Sequence, residues 1–307
     1  KNMTKILKKY LIVIVGPTAS GKTNLAIKVA EKLKCEIISA DSRQFFKEMN
    51  IGTAKPTKKE LSKVKHHFIN NLSVKEQYNA GSFENDALKL IGDLYEKFNH
   101  IIMTGGSGLY IDAVCNGLDS FPKIPIEFRQ KLILEHKKKG LISLLNELKI
   151  KDRKYYDLVD KNNYQRIIRA LEVIRFTGKR FSDFISNSKK MRNFKIIKIG
   201  INIKKENLDV LIDNRVDFMV RKGLFNEVKN LIKYEKKNAL NTVGYKEVFQ
   251  FFKNIKTKKE VINEIKINTK KYAKRQITWF KRDLDIKWFN LDFDQIFYFI
   301  NKKINNY

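Results

Sequence analysis

Short apolar runs alternate with helically spaced apolar positions through the first third of the chain. Leu11–Val15 is a continuous apolar run, the pattern of a strand buried on both faces. Over Asn24–Leu33, Leu25, Ile27, Val29, Ala30 and Leu33 are interleaved with Lys and Glu, which predicts a helix. Glu36–Ser39 reads as a second strand, Glu84–Phe98 as a helix and His100–Met103 as a third strand. This alternation predicts a parallel α/β sheet. The texture changes near Gly117. Phe121-Pro122-Lys123-Ile124-Pro125 looks like a junction, Glu127 to Thr177 is helical and strongly charged, and Phe194–Ile203 returns to strand alternation. From Leu208 onward the pattern is again helical, and the Lys- and Asn-rich tail is expected to fray. The expected organisation is therefore an α/β core over residues 1–121 and 194–307, with a mostly helical insertion over 122–193. There is no internal repeat.

Charge changes this picture more than size does. The 307 residues hold 63 Lys and Arg against 33 Asp and Glu, a net charge of +30. Such a field attracts polyanions: nucleic acid, an anionic membrane surface or phosphorylated substrates. Abundant Lys, Asn and Ile with only 4 Pro also fit AT-rich codon usage, and both causes are expected to contribute. Cys35 and Cys115 form no metal or disulfide pattern, which fits small core residues in a reducing cytoplasm. No apolar run approaches the roughly 20 residues of a membrane span. Lys1–Val15 faintly mimics a leader, but its apolar run is short and enters a glycine-rich loop. Because the first residue is Lys1, either residues ahead of it or a start at Met3 is expected.

That loop, Gly16-Pro17-Thr18-Ala19-Ser20-Gly21-Lys22-Thr23, matches G-x-x-x-x-G-K-[ST] between a predicted strand and a predicted helix. Its amides can curl round phosphate oxygens at the positive end of the helix. Lys22 adds a mobile cation, and the Thr23 hydroxyl can face Mg²⁺. Two adjacent phosphates are what such a loop grips, whether they belong to a nucleotide or to an organic diphosphate. The second strand ends in Ser39-Ala40-Asp41-Ser42-Arg43-Gln44, at the carboxyl edge where open sheets bind ligands. Asp41 there reads equally as a helix cap, a metal-holding carboxylate or a general base. The third strand runs into Thr104-Gly105-Gly106-Ser107-Gly108-Leu109-Tyr110, a close-approach turn with a free Ser107 hydroxyl expected at the crevice.

The segments GPTASGKT (16–23), EIISADSRQ (36–44), IGTAKP (51–56), His66-His67, GGSGLY (105–110), QRIIRALEV (165–173), GLFNEV (223–228), GYKE (244–247) and AKRQITWF (273–280) occur in this order. The series spans nearly the whole chain and resembles the bacterial tRNA dimethylallyltransferase (isopentenyltransferase) family. The resemblance implies an α/β fold with a phosphate-loop core like that of nucleoside triphosphate hydrolases. It implies transfer of a dimethylallyl group from dimethylallyl diphosphate to N6 of the adenosine 3′ of a tRNA anticodon (position 37), with Mg²⁺ and release of pyrophosphate. It makes Asp41 the general base, places Ser107 near the reacting centre where the family usually has Thr, and gives Lys22 and the loop to the diphosphate. Arg215 matches a diphosphate-binding position, although a solvated helix arginine fits the same pattern. The resemblance also assigns tRNA contact to Asp41, Ser42, Arg43 and Gln44, to Arg129, and to Gln165, Arg166 and Arg169. The same role falls to Gly244, Tyr245 and Lys246, and to Lys274, Arg275, Gln276, Trp279 and Lys281.

Local patterns add to this reading. Arg166 and Arg169 share a helix face, leaving Ile167, Ile168 and Leu171 to face inward. Phe280 is expected in the core, and Trp279 either there or stacked on a base. His66 and His67 lack companions at ligand spacing, so a structural or substrate-side role is expected rather than zinc. Asp160-Lys161-Asn162-Asn163 and Thr269-Lys270 depart from the family's usual H-P-N-D and T-R. Competing readings are a prenyltransferase acting on free nucleotides, a phosphate-loop kinase or ATPase, and a non-catalytic RNA-binding protein. The broad basic surface speaks for tRNA over a free nucleotide. A monomer without membrane attachment is expected.

Overall fold

The computed structural model describes residues 8–186 and 188–305; Met3 and the last two residues lie outside the described residues. The chain divides into two compact units, Lys1–Asn116 with Met191–Tyr307, and Gly117–Lys190.

In chain order the first unit begins with β1 (Tyr10–Val15), α1 (Lys22–Leu33), β2 (Ile37–Ser39), α2 (Lys58–Lys63), β3 (His66–His67), α3 (Ala80–Tyr95), β4 (His100–Gly105) and α4 (Gly108–Asn116). The second unit holds α5 (Ile126–Lys151), α6 (Arg153–Leu158) and α7 (Tyr164–Thr177). The first unit resumes with β5 (Lys195–Ile201), α8 (Lys205–Arg221), α9 (Leu224–Lys229), α10 (Tyr245–Phe252), α11 (Lys258–Phe280), β6 (Ile286–Phe289) and α12 (Phe293–Asn305).

Six strands form one parallel sheet in the order β3-β2-β4-β1-β5-β6. β1 lies inside the sheet, and successive residues of a strand point to opposite faces. Leu11, Val13 and Val15 enter one apolar cluster, and Tyr10, Ile12 and Ile14 enter the other. Helices cover both faces, which explains why LIVIV carries no polar alternation.

Two expectations are corrected here. The stretch after Leu208 is not wholly helical: Ile286–Phe289 pairs with Lys198–Ile201 as an outer strand. The tail does not fray within the described residues, because α12 runs to Asn305 and buries Ile296 and Ile300.

The second unit has its own core. Leu132, Leu144 and Leu148 of α5 pack with Ile167, Ile168, Leu171 and Ile174 of α7. α5 is broken at Gly140, whose φ of 75° is left-handed, a conformation glycine adopts without steric cost. Arg175 of α7 ties both parts of α5, bonding Glu135 at 2.8 Å and Glu147 at 2.9 Å through Nε. Asp152 is fully buried and accepts from the Ser182 amide at 2.7 Å and hydroxyl at 2.8 Å.

Candidate active site

The phosphate loop leaves β1 and ends in the first turn of α1. Ala19 (φ 64°) and Gly21 (φ 81°) are left-handed, so consecutive amides turn inward as an anion-binding nest. Ser20 Oγ is buried without a hydrogen-bond partner among the described residues. The Lys22 ammonium donates to the Pro17 carbonyl at 3.1 Å. Burial, then the neighbouring Arg215, bring the Lys22 pKa down to about 8, against the opposing pull of Asp41.

Asp41 follows β2. Its Oδ1 accepts from the Arg43 amide at 3.1 Å, and its carbonyl accepts from Gln44 N at 3.0 Å. No helix begins there, since α2 starts at Lys58; Asp41 stabilises a turn and does not cap a helix. Asp41 and Thr18 border both a cavity of about 340 Å³ and a smaller one of about 50 Å³. Lys22, Thr23 and His66 line the smaller one, Arg43 and Arg275 the larger, and Arg215 and Tyr272 both. Arg215 makes no hydrogen bond to the protein among the described residues, and burial lowers its pKa against the pull of Asp41.

The turn after β4 corrects an expectation. Ser107 does not offer a free hydroxyl to the crevice. Its Oγ accepts from the Ser42 amide at 2.9 Å and donates to Ser42 Oγ at 3.0 Å. The hydroxyl is spent on satisfying the turn that carries Asp41. Ser107 and Ser42 therefore join the turn after β4 to the turn that carries Asp41.

Gln276 of α11 is buried. Its Oε1 accepts from the Thr18 amide at 2.8 Å, and its Nε2 donates to the Gly106 carbonyl at 2.8 Å, tying the phosphate loop to that turn. Tyr245 is likewise fully buried, with its hydroxyl donating to Glu227 at 2.6 Å. Direct tRNA contact through the Tyr245 side chain is thus corrected, since packing encloses it, whereas the Gln276 side chain lines the smaller cavity with Asp41. The Gly244 amide is buried on Glu247 at 2.7 Å. Phe280 is in the core, whereas Trp279 is half-buried and donates to Asp112 at 2.7 Å.

A sequence profile described as IPP transferase matches residues 44–283. A tRNA dimethylallyltransferase of Christiangramia forsetii is 48% identical over 301 residues, covering 97% of this chain and all of that protein. The chain belongs to the IPP transferase family.

A second member, the tRNA dimethylallyltransferase of Flavobacterium psychrophilum, is 46% identical over 97% of the chain and 99% of its own length. Among solved structures, the tRNA isopentenylpyrophosphate transferase of Bacillus halodurans aligns with a TM-score of 0.73 at 33% identity, covering 97% of this chain and 98% of that one. A eukaryotic dimethylallyltransferase described as acting on tRNA aligns with a TM-score of 0.82 at 26% identity, over 97% of this chain and 80% of that one.

Several residues around the site lie in segments quoted above, but Glu227 and Lys55 carried no assigned role there. Glu227 accepts from the amides of Asn50 (2.9 Å), Ile51 (2.8 Å) and Gly52 (3.1 Å), fixing a turn on the cavity wall. Lys55 donates to Asn50 Oδ1 at 3.2 Å, and burial brings its pKa down to about 8. Arg43 is anchored on the carbonyls of Asn238 (3.0 Å) and Ala239 (3.2 Å), and Gln44 Nε2 donates to that of Thr53 (3.3 Å). Lys246, Lys274, Arg275 and Lys281 are exposed. His66 Nδ1 meets the Val64 carbonyl at 2.7 Å, and His67 Nε2 meets Glu36 at 2.6 Å. Among the described residues no three His, Cys, Asp or Glu side chains cluster to hold a metal, and no helix is long and apolar enough to cross a membrane.

In the helical unit, Gln165 and Arg166 are exposed on α7, while Ile167, Ile168 and Leu171 are buried. Arg129 and Arg169 both bond Glu172.

Proposed function

We propose that this chain transfers a dimethylallyl group from dimethylallyl diphosphate to N6 of the adenosine at tRNA position 37, 3′ of the anticodon, releasing pyrophosphate. The observation that carries the reading is the shared cavity: a phosphate loop with its lysine at one border and a carboxylate, Asp41, beside it. One group suits the leaving diphosphate, the other the incoming amine.

The loop amides, Lys22 and Arg215 bind the diphosphate. As the allylic C–O bond breaks, its electron pair stays on the diphosphate oxygen, and these donors stabilise the added charge. The exocyclic amine of adenine is a weak nucleophile because its lone pair is delocalised into the ring. As its C–N bond to the prenyl group forms, Asp41 accepts the proton that N6 loses. Val216, Met219, Val243 and Ile265 line the larger cavity and give the prenyl chain an apolar wall. Ser107 and Ser42 keep the Asp41 turn in place.

Thr23 faces the smaller cavity beside Asp41, so its oxygen donors are those expected for a Mg²⁺ held mainly by phosphate and water. Such an ion would neutralise diphosphate charge. Thr23 is the residue assigned to it.

The target base must leave its loop to reach the Asp41 carboxylate on the cavity wall. Arg43, Gln44, Lys246, Lys274, Arg275 and Lys281 form the tRNA side of the α/β unit, with Trp279 beside them. Arg129, Gln165, Arg166 and Arg169 form that of the helical unit. Action as a monomer in the cytoplasm belongs to the same proposal.

The test mixes the protein, Mg²⁺, dimethylallyl diphosphate and unmodified tRNA, followed by nucleoside mass analysis. A gain of one isopentenyl group on adenosine is expected. Modification of AMP or ATP but not of tRNA would move the acceptor to free nucleotides, and phosphate release from ATP would point to a kinase or ATPase.

A further inference from the structure

Two arginines of the helical unit share one carboxylate. Arg129 of α5 donates through Nε to Glu172 Oε2 at 2.8 Å, and Arg169 of α7 donates through Nη1 to Glu172 Oε1 at 2.8 Å. The Glu172 side chain is 7% exposed, whereas the two arginine side chains are 44% and 34% exposed. Each guanidinium is gripped on one edge only. Both Nη groups of Arg129, and Nε and Nη2 of Arg169, have no partner in these two bonds. The Arg169 guanidinium also lies over the Phe121 ring, 5.3 Å from its centroid.

Burying a carboxylate is costly unless it is well paired. The helical unit is already knit without this one, since Arg175 ties both parts of α5 to α7 and the Leu and Ile core runs between them. The pairing does something else. A free arginine loses much rotamer entropy when it settles on a phosphate, and a guanidinium fixed beforehand loses less. One carboxylate here holds two guanidinium groups side by side with spare donors on their outer edges.

We propose that Glu172 is a positioning residue for RNA: it pre-sets Arg129 and Arg169 as a paired phosphate clamp on the helical unit. The proposal rests on the reading of tRNA as substrate, and it makes a prediction of unusual sign. Glu172→Gln removes a negative charge from a protein that binds a polyanion, so charge alone predicts tighter tRNA binding. Pre-setting predicts weaker binding, because the amide no longer holds both guanidinium groups.

Fluorescence anisotropy with unmodified tRNA, across a salt series, tests this on the full chain. Glu172→Gln is expected to weaken tRNA binding roughly three- to tenfold. In turnover assays the loss is expected on KM for tRNA and not on kcat. Combining it with Arg129→Ala should cost less than the two separate losses summed, because both changes disable one clamp. Unchanged or tighter binding by a folded Glu172→Gln variant overturns the proposal.

Arg129→Lys guards against misfolding of that variant. It keeps the charge but lacks a second edge to hold Glu172 and phosphate together, so a several-fold loss is expected. Wild-type affinity in Arg129→Lys would equally overturn the proposal. Failure of the unaltered protein to bind tRNA would instead sink the functional reading itself.

Discussion

The cations at the phosphate-loop cavity of the α/β unit and those of the helical unit are held in opposite ways. At the cavity, Lys22 and Arg215 lose much of their hydration and form no ion pair among the described residues. In the helical unit, Arg129, Arg169 and Arg175 are each paired with carboxylates and partly exposed. A desolvated, unpaired cation is costly to keep and interacts strongly with any anion that enters. That suits one small, densely charged ligand. A paired and half-exposed cation is cheaper and better screened, which suits many modest contacts along a polyanion.

The sharpest way to break this contrast is at Asp41. Asp41→Asn should lower single-turnover transfer on the order of 10²–10⁴-fold while leaving tRNA affinity within a few-fold. A variant that still transfers at near wild-type rate would remove the proton-acceptor role. Lys22→Ala should lower transfer by roughly 10²–10³-fold and abolish pyrophosphate binding measured by calorimetry, again with tRNA affinity kept. Loss of tRNA binding in that variant would show that the two cation sets are not separate in function.

A core change tests the helical unit alone. Leu171→Ala should cost about 2–5 kcal/mol and appear as lost amide-exchange protection in α5 and α7, with the sheet still protected. Simultaneous loss across β1 and β4 would show that the units do not behave as two.

Acidity gives a smaller effect. Burial and Arg215 favour the neutral amine of Lys22, so the free protein holds an ammonium below about pH 8 and loses it above. Pyrophosphate binding favours the ammonium, so affinity should fall up to about tenfold per unit as pH rises past that point. A flat calorimetric profile to pH 9.5 would contradict it. Smallest is Arg166→Ala, expected to weaken tRNA binding a few-fold and to reduce the salt slope by about 1.

What was legible in the sequence was what is local. β1, the phosphate loop and α1 follow one another within 24 residues, each with its own pattern, and all three are present. β3 has only two residues and no periodicity to detect. β6 is a strand because the free edge of β5 offers partners from Lys198 to Ile201, a fact about a segment more than 80 residues away. The same holds within the site. Asp41 stood out at a strand end, but the buried tie of Gln276 to Thr18 spans 258 residues, and that of Glu227 to Gly52 spans 175. Ser107 was found by its glycine-rich turn, yet its partner Ser42 is 65 residues away, so a committed hydroxyl read as a free one.

The break at Gly140 has a consequence that distance makes plain. Glu135 and Glu147 are twelve positions apart, and a straight helix would carry them about 18 Å from each other. One guanidinium could not then reach both, yet Arg175 does. The arginine is therefore a gauge of the bend. A substitution at Gly140 that straightened α5 would make Arg175 choose between its carboxylates, and the rejected one would be left half-buried and unmatched. The fold of the helical unit thus depends on a residue with no side chain at all, acting through a contact to which it contributes no atom.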